Sequence, residues 1–190
     1  TGMSMPKLDV IVASVREKRA GLAVAEWFVE IARRHAKFDV QLIDLEKVDL
    51  PLLNEPNHPR LQQYQHDHTK RWSEIVRSGD AFVFVTPEYN YGAPPALVNA
   101  LDYVYVEWNY KAAGFVSYGG ISGGTRSVVM TKTILTTLKM VPIVEAVTIP
   151  FFAQLMKDGA FHGGETHEKS ANAMLDELAR WTGALASLRS

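Results

Sequence analysis

The sequence predicts an α/β fold, a parallel sheet of five strands with helices on both faces. Two observations carry this reading. Short β-branched apolar runs alternate with stretches of helical periodicity five times along the chain, and a parallel sheet with crossover helices is the architecture that satisfies such an alternation. The composition does not change along the 190 residues, so a single domain over 1–190 is expected. A third observation concerns the loops. Three that follow strand ends carry unusual residues, and the carboxyl ends of strands are where sheets of this class bind ligands.

Residues 7–13 read Lys-Leu-Asp-Val-Ile-Val-Ala, a short run suited to a buried strand. After a polar stretch, Val24, Phe28 and Ile31 recur at helical spacing to about residue 35. Residues 38–44 form the second predicted strand. Residues 50–59 hold three prolines and two asparagines and are read as a loop. A polar helix is predicted over 61–78, with Tyr64, Trp72, Ile75 and Val76 inward, and Gly79-Asp80 as the turn after it. Residues 81–86 are the most apolar strand. An irregular loop at 87–95 leads into a helix over 96–103 that starts on prolines, which the first helical turn tolerates. A fourth strand is expected at 114–118 and a helix over 125–140, with Val128, Thr131, Leu135 and Leu138 on one face. A fifth strand is expected at 143–149, then a glycine-containing connection at 151–164. Ala171, Met174, Leu178, Trp181 and Leu185 mark the closing helix.

Composition excludes several classes of function. The chain carries 20 Lys and Arg against 21 Asp and Glu, a net charge of −1. Nucleic-acid binders usually show a clear positive excess, so none is expected as a partner. With no cysteine, thiolate catalysis, Fe–S clusters and cysteine-based zinc sites are ruled out, and redox chemistry would have to come from a bound cofactor. No apolar run approaches the roughly 20 residues of a membrane span, and the start lacks the layout of a signal peptide. The cytoplasm is the expected compartment. Residues 1–6 are expected to lie outside the ordered domain, with Thr1 and Gly2 ahead of Met3 read as a remnant of cloning.

The first loop, from Ser14 through Gly21, lies between strand one and helix one. A helix N-terminus offers free N–H groups and a positive dipole end. Ser14 adds a hydroxyl, and Arg16 and Arg19 add guanidinium forks, so the loop suits a phosphate. Read alone, it also suits a solvated basic turn. It is neither Gly-x-Gly-x-x-Gly nor a Walker loop. The second loop, Thr86-Pro87-Glu88-Tyr89-Asn90-Tyr91-Gly92, suits a flat ligand, with Asn90 and backbone N–H groups facing its polar edge and Tyr89 packing beside it. The third, 117–124, has four glycines in eight residues, a density that lets backbone approach a ligand closely. Each has a purely structural reading. Their convergence on one sheet edge is the stronger signal.

Together, Ser14-x-Arg16-x-x-Arg19-x-Gly21, Pro87-Glu88-Tyr89-Asn90 and Ser117-Tyr118-Gly119-Gly120 resemble the NADPH-dependent FMN reductase family, a flavodoxin-like group that includes quinone, azo-dye and chromate reductases. The resemblance runs from about residue 7 to 185. It implies a strand order of 2-1-3-4-5. It assigns the FMN phosphate to Ser14, Arg16 and Arg19 at the Gly21 helix start. It assigns the ring and ribityl contacts to Pro87, Glu88, Tyr89 and Asn90, and the pyrimidine edge to Ser117, Gly119 and Gly120. The family often has glycine before the serine; here Ala13 stands there, and its methyl is expected to crowd the loop. The activity implied is hydride transfer from NADPH or NADH to FMN, then electron transfer to a small acceptor, with the cofactor performing the chemistry and no catalytic side chain named. A homodimer or homotetramer is implied.

The competing reading is a flavodoxin-like electron carrier with no nicotinamide reaction of its own; such carriers tend to be strongly acidic, unlike this chain. A third is a flavin-free phosphate binder. His66 and His68, at i and i+2 on the predicted helix, are expected to point apart, which argues against a metal pair. Tyr103, Tyr105, Trp108 and Tyr110 are read as core or subunit interface, and Arg126 as facing substrate or a neighbouring subunit.

Overall fold

The computed structural model describes residues 4–189. The expectation for Thr1 and Gly2 lies outside them. Pro6 already joins the sheet, its carbonyl accepting the Asp39 N–H at 2.9 Å.

Five parallel strands form one sheet: β1 (Lys7–Val12), β2 (Asp39–Asp44), β3 (Ala81–Thr86), β4 (Ala112–Tyr118) and β5 (Val141–Ile149). Their order is β2-β1-β3-β4-β5. The side-chain period of two divides them between two cores. Leu8, Val10, Val12, Ala81, Val83, Val85, Val116 and Tyr118 meet α1 (Gly21–His35) on one face. Ile11, Phe82, Phe84, Ala113 and Phe115 face the opposite layer. Every residue of β3 is buried, as a central strand covered on both sides requires.

The remaining helices are α2 (Leu45–Val48), α3 (Asp67–Ser78), α4 (Pro95–Asp102), α5 (Thr125–Thr137) and α6 (Glu165–Leu185). Helix α6 packs beside α1, while α3, α4 and α5 cover the other face with Trp72, Val76, Leu97, Leu101, Val128 and Leu135. Tyr103 and Trp108 are fully buried there, and the Trp108 ring meets Phe82 edge-on at 4.9 Å. That settles the core reading for these two aromatics.

Several element bounds differ from expectation. The helix predicted over 61–78 starts at Asp67. Gln62 is left-handed (φ 52°), and the Glu55 carboxylate accepts the N–H groups of Gln65 and His66, holding that segment outside a helix. Tyr64 therefore sits on a loop, its hydroxyl 3.0 Å from the Glu107 carboxylate. His66 caps the helix in an extended conformation, so its ring stacks on His68 at 5.0 Å instead of pointing away. No group of metal-binding residues forms among the described residues. The helix predicted to residue 140 ends at Thr137, because Lys139 turns left-handed (φ 55°). β4 and β5 each start two residues early. The connection at 151–164 contains a two-stranded hairpin, β6 (Met156–Lys157) with β7 (Ala160–Phe161). Trp181 is 39% exposed; the buried stripe of α6 passes through Leu175, Leu178, Thr182 and Leu185 instead.

Candidate functional site

The three unusual loops meet at the carboxyl edge of β1, β3 and β4. Ala13 extends the β1 ladder by donating its N–H to the Val85 carbonyl at 3.0 Å, and its methyl is buried in the α3–α5 core. The substitution expected to crowd the loop is thus absorbed by packing. Ser14 follows, almost fully buried, with Oγ 3.0 Å from the Tyr89 hydroxyl. This contact ties the first loop to the second.

Helix α1 opens without a capping side chain and without an acidic residue in its first turn. Its first intrahelical bond from this end is Val24 N–H to Ala20 C=O at 3.2 Å, which leaves the N–H groups of residues 21–23 free for an anion. Arg16 is exposed and has no carboxylate partner among the described residues. Arg19 departs from expectation. Its guanidinium is ion-paired with Asp44 and, at 3.1 Å, with Glu46, and only its buried Nε is unpartnered. It pins the loop to the end of β2 and is not a free fork. The acidic pair at the end of the second predicted strand was the available signal for this, because that strand flanks the first.

Gly21 also has a different reason from the one expected. A Cβ there would lie 2.3 Å from the Tyr118 hydroxyl and 3.7 Å from Ser14 Cβ. Glycine admits the Tyr118 phenol to the helix start. Tyr118 was not among the residues the sequence pointed to as ligands. Burial pushes its phenol up, the neighbouring Tyr89 adds to this, and Arg19 and Arg16 pull the other way.

In the second loop, Tyr89 and Gly92 exchange two backbone hydrogen bonds, 3.0 and 2.9 Å, around Asn90 (φ 50°) and Tyr91 (φ 69°). Two consecutive left-handed residues make a type I′ turn, which normally takes Asn-Gly. Tyr91 at the second position is strained, and the Arg126 guanidinium lies 3.8 Å from its ring centroid. Pro87 is buried, its carbonyl accepting the Thr86 hydroxyl at 2.9 Å. Glu88 is a clamp and not a free ligand. Its carboxylate accepts from Ser122 Oγ at 3.1 Å and the Arg126 N–H at 3.0 Å, and pairs with Arg126 Nε at 3.0 Å. It thereby caps the first turn of α5. Arg126, left open by the sequence, faces this loop. Asn90 is exposed at the tip.

In the third loop, Ser117 is buried and its Oγ has no partner among the described residues. A buried hydroxyl without a partner costs free energy unless a ligand supplies one. The Gly119 N–H donates to the Ile149 carbonyl at 3.2 Å, so it is not available to a ring. Gly120 is exposed, its N–H has no partner among the described residues, and a Cβ there would meet nothing. Gly124 (φ 81°) is packed so closely that a Cβ would lie 2.8 Å from the Tyr118 carbonyl.

The edge thus offers an uncapped helix start, a free arginine, an orphaned serine hydroxyl and an open glycine backbone. These fit a ligand with a phosphate at one end and a polar ring edge at the other. A sequence profile of the NADPH-dependent FMN reductase family matches residues 6–154. The chain is 42% identical over 149 residues to an NAD(P)H-dependent FMN reductase of Schizosaccharomyces pombe, covering 76% of this chain and 74% of that one. It is 36% identical over 145 residues to an NAD(P)H-dependent FMN reductase of Saccharomyces cerevisiae, covering 70% and 75%. Among solved structures, an NAD(P)H:(acceptor) oxidoreductase flavoenzyme from Paracoccus denitrificans superposes with a TM-score of 0.75 at 21% identity, covering 94% and 98% of the two chains.

Proposed function

Because the chain belongs to the NADPH-dependent FMN reductase family, we propose that it is an NAD(P)H oxidoreductase that binds FMN along this sheet edge and reduces a small acceptor. The observation that carries the reading is the buried, unpartnered Ser117 hydroxyl, set on the same edge as the uncapped start of α1. FMN, when bound, would supply two-electron redox chemistry between a nicotinamide and the acceptor.

The chain's own residues bind and orient. Ser14, Arg16 and the N–H groups of residues 21–23 hold the phosphate, while Arg19 shapes the loop through Asp44. The 87–90 backbone and Asn90 bear the ring, held in place by the Glu88 clamp. Ser117 Oγ and the Gly120 N–H, both unpartnered among the described residues, would take the pyrimidine edge, where a fixed N–H dipole would favour negative charge. The acceptor class is a quinone, flavin, azo compound or metal oxyanion. A quinone reductase of Pseudomonas putida, 29% identical over 183 residues, supports the first of these. Assembly as a homodimer or homotetramer is supported by exposed Val129 and Met130 on α5, with Met130 beside the Tyr91 turn. No helix among the described residues is long and apolar enough to cross a membrane.

Oxidation of NADPH and NADH by FMN-loaded protein, followed with a quinone, free FMN, an azo dye and chromate in turn, is the test. Steady turnover with at least one acceptor is expected. Retained FMN without turnover against any of them would make the protein an electron carrier instead.

A further inference from the structure

We infer that the FMN phosphate is held by three linked hydroxyls, those of Ser14, Tyr89 and Tyr118, with Tyr118 as a ligand reaching the helix start through the space left by Gly21. This rests on the phosphate placement proposed above and goes beyond it, since Tyr118 arrives from the far side of the sheet edge.

The geometry is specific. Tyr118 is the last residue of β4, two strands away from β1 in the sheet. Its ring is fixed edge-on against Phe152, with centroids 5.2 Å apart and planes at 71°. That contact leaves the phenol little freedom to turn elsewhere. Its oxygen points at the first residue of α1, so close that any side chain at position 21 would collide with it. Ser14 is the common neighbour. Its Oγ lies 3.0 Å from the Tyr89 hydroxyl, and its Cβ and the Tyr118 hydroxyl border the same space over Gly21. The three side chains come from three loops or strand ends, so a phosphate seated here joins all of them.

The chemistry suits an anion. Burial and the Tyr89 neighbour keep the Tyr118 phenol protonated at all physiological pH, so it stays a donor. Arg19 is spent on Asp44 and Glu46, leaving Arg16 as the free guanidinium of the loop. A phosphate site in which Arg19 is already paired gains from neutral hydroxyl donors, because each adds a charge-assisted bond to phosphate without a charge of its own to desolvate. The same arrangement links the two ends of the site. Tyr89 belongs to the loop under the ring, and through Ser14 its position depends on whether the phosphate is in place.

The test compares FMN with riboflavin, which has the ring and ribityl chain but no phosphate. Flavin fluorescence quenching gives both affinities for the apoprotein of the parent, Tyr118→Phe and Tyr89→Phe, and thermal unfolding of each apoprotein checks the fold. A hydrogen bond to a charged group corresponds to about ten- to hundredfold in affinity. Tyr118→Phe is expected to bind FMN weaker by that factor and riboflavin as the parent does. Tyr89→Phe is expected to show a smaller loss, also confined to FMN. Equal losses for the two flavins would reduce Tyr118 to a packing residue, and unchanged FMN binding would remove it from the site. If Tyr118→Phe does not fold, Tyr89→Phe decides: an FMN-specific loss upholds the hydroxyl set and a loss shared with riboflavin overturns it. A parent that binds both flavins equally would instead refute the phosphate placement itself.

Discussion

Arg16 and Arg19 stand three residues apart in one loop and do different work, because one has a carboxylate partner and the other does not. Arg16→Ala is expected to weaken FMN binding about tenfold or more and leave riboflavin binding unchanged, as loss of a charge-assisted bond to phosphate requires. An Arg16→Ala protein that held FMN as tightly as the parent would place the phosphate elsewhere. Arg19→Ala removes the partner of the nearly buried Asp44 side chain, and leaving such a charge uncompensated is expected to cost about 3 kcal/mol in unfolding free energy. At the opposite end of the sheet, Asp9 is fully buried and neither carboxylate oxygen accepts a hydrogen bond. Burial lifts its carboxyl from 3.8 to about 6, against the attraction of Lys7 and Lys111. The folded value exceeds the unfolded one, so the group's stabilising contribution is complete below about pH 4 and is lost as pH rises through about 6. The loss corresponds to roughly 3 kcal/mol. Asp9→Asn should therefore melt above the parent at pH 8 and converge with it near pH 4. Parallel melting profiles across that range would show that the carboxylate is not penalised.

Among the elements, α5 and the 87–92 turn depend on one another. The start of α5 has Gly124 as its N-cap and no capping side chain of its own; Glu88 supplies the missing acceptor from the neighbouring loop and pairs with Arg126. The strained Tyr91 turn is held from the same helix, by the Arg126 guanidinium over its ring. Glu88→Gln keeps the shape and removes the charge. It is expected to cost about 1–2 kcal/mol in stability and to loosen FMN and riboflavin alike, since it releases the ring loop and not the phosphate loop. A loss confined to FMN would mean that the clamp acts on the phosphate end. The Pro-Glu-Tyr-Asn motif pointed to a candidate ligand loop, but the direction of Glu88 was not legible. Its partners Ser122 and Arg126 lie 34 and 38 residues further on, a separation at which sequence periodicity carries no information.

At the scale of the whole molecule, the apolar surface on α5 belongs to no core. Val129 is 66% exposed and Met130 41%, the Met130 sulfur accepting the Ala93 N–H at the foot of the turn that carries Tyr91, itself 71% exposed. Light scattering coupled to size exclusion is expected to give a dimer or tetramer for the parent, and a Val129→Glu, Met130→Glu double variant is expected to shift it toward the monomer. An unchanged mass for the double variant would locate the interface on another face. The three-layer architecture, helices on both faces of the sheet, followed from the alternation of strand and helix, and the loop convergence followed from the parallel sheet.

Residue order alone determined the five strands, the helices between them, the three unusual loops and the family, because each is written in local spacing: apolar runs, helical periodicity and contiguous motifs. It also pointed to the loop from Ser14 to Gly21 as the candidate anion site. Tertiary structure decided which of those residues remain free to bind. Arg19, Glu88 and the Gly119 N–H are taken by Asp44, Arg126 and the Ile149 carbonyl, while Ser117 and Arg16 are left open. Tyr118 enters beside Gly21 from a different strand. The physical reason is that a polar group's availability is set by its neighbours in space, and in a parallel sheet those neighbours come from strands tens of residues apart.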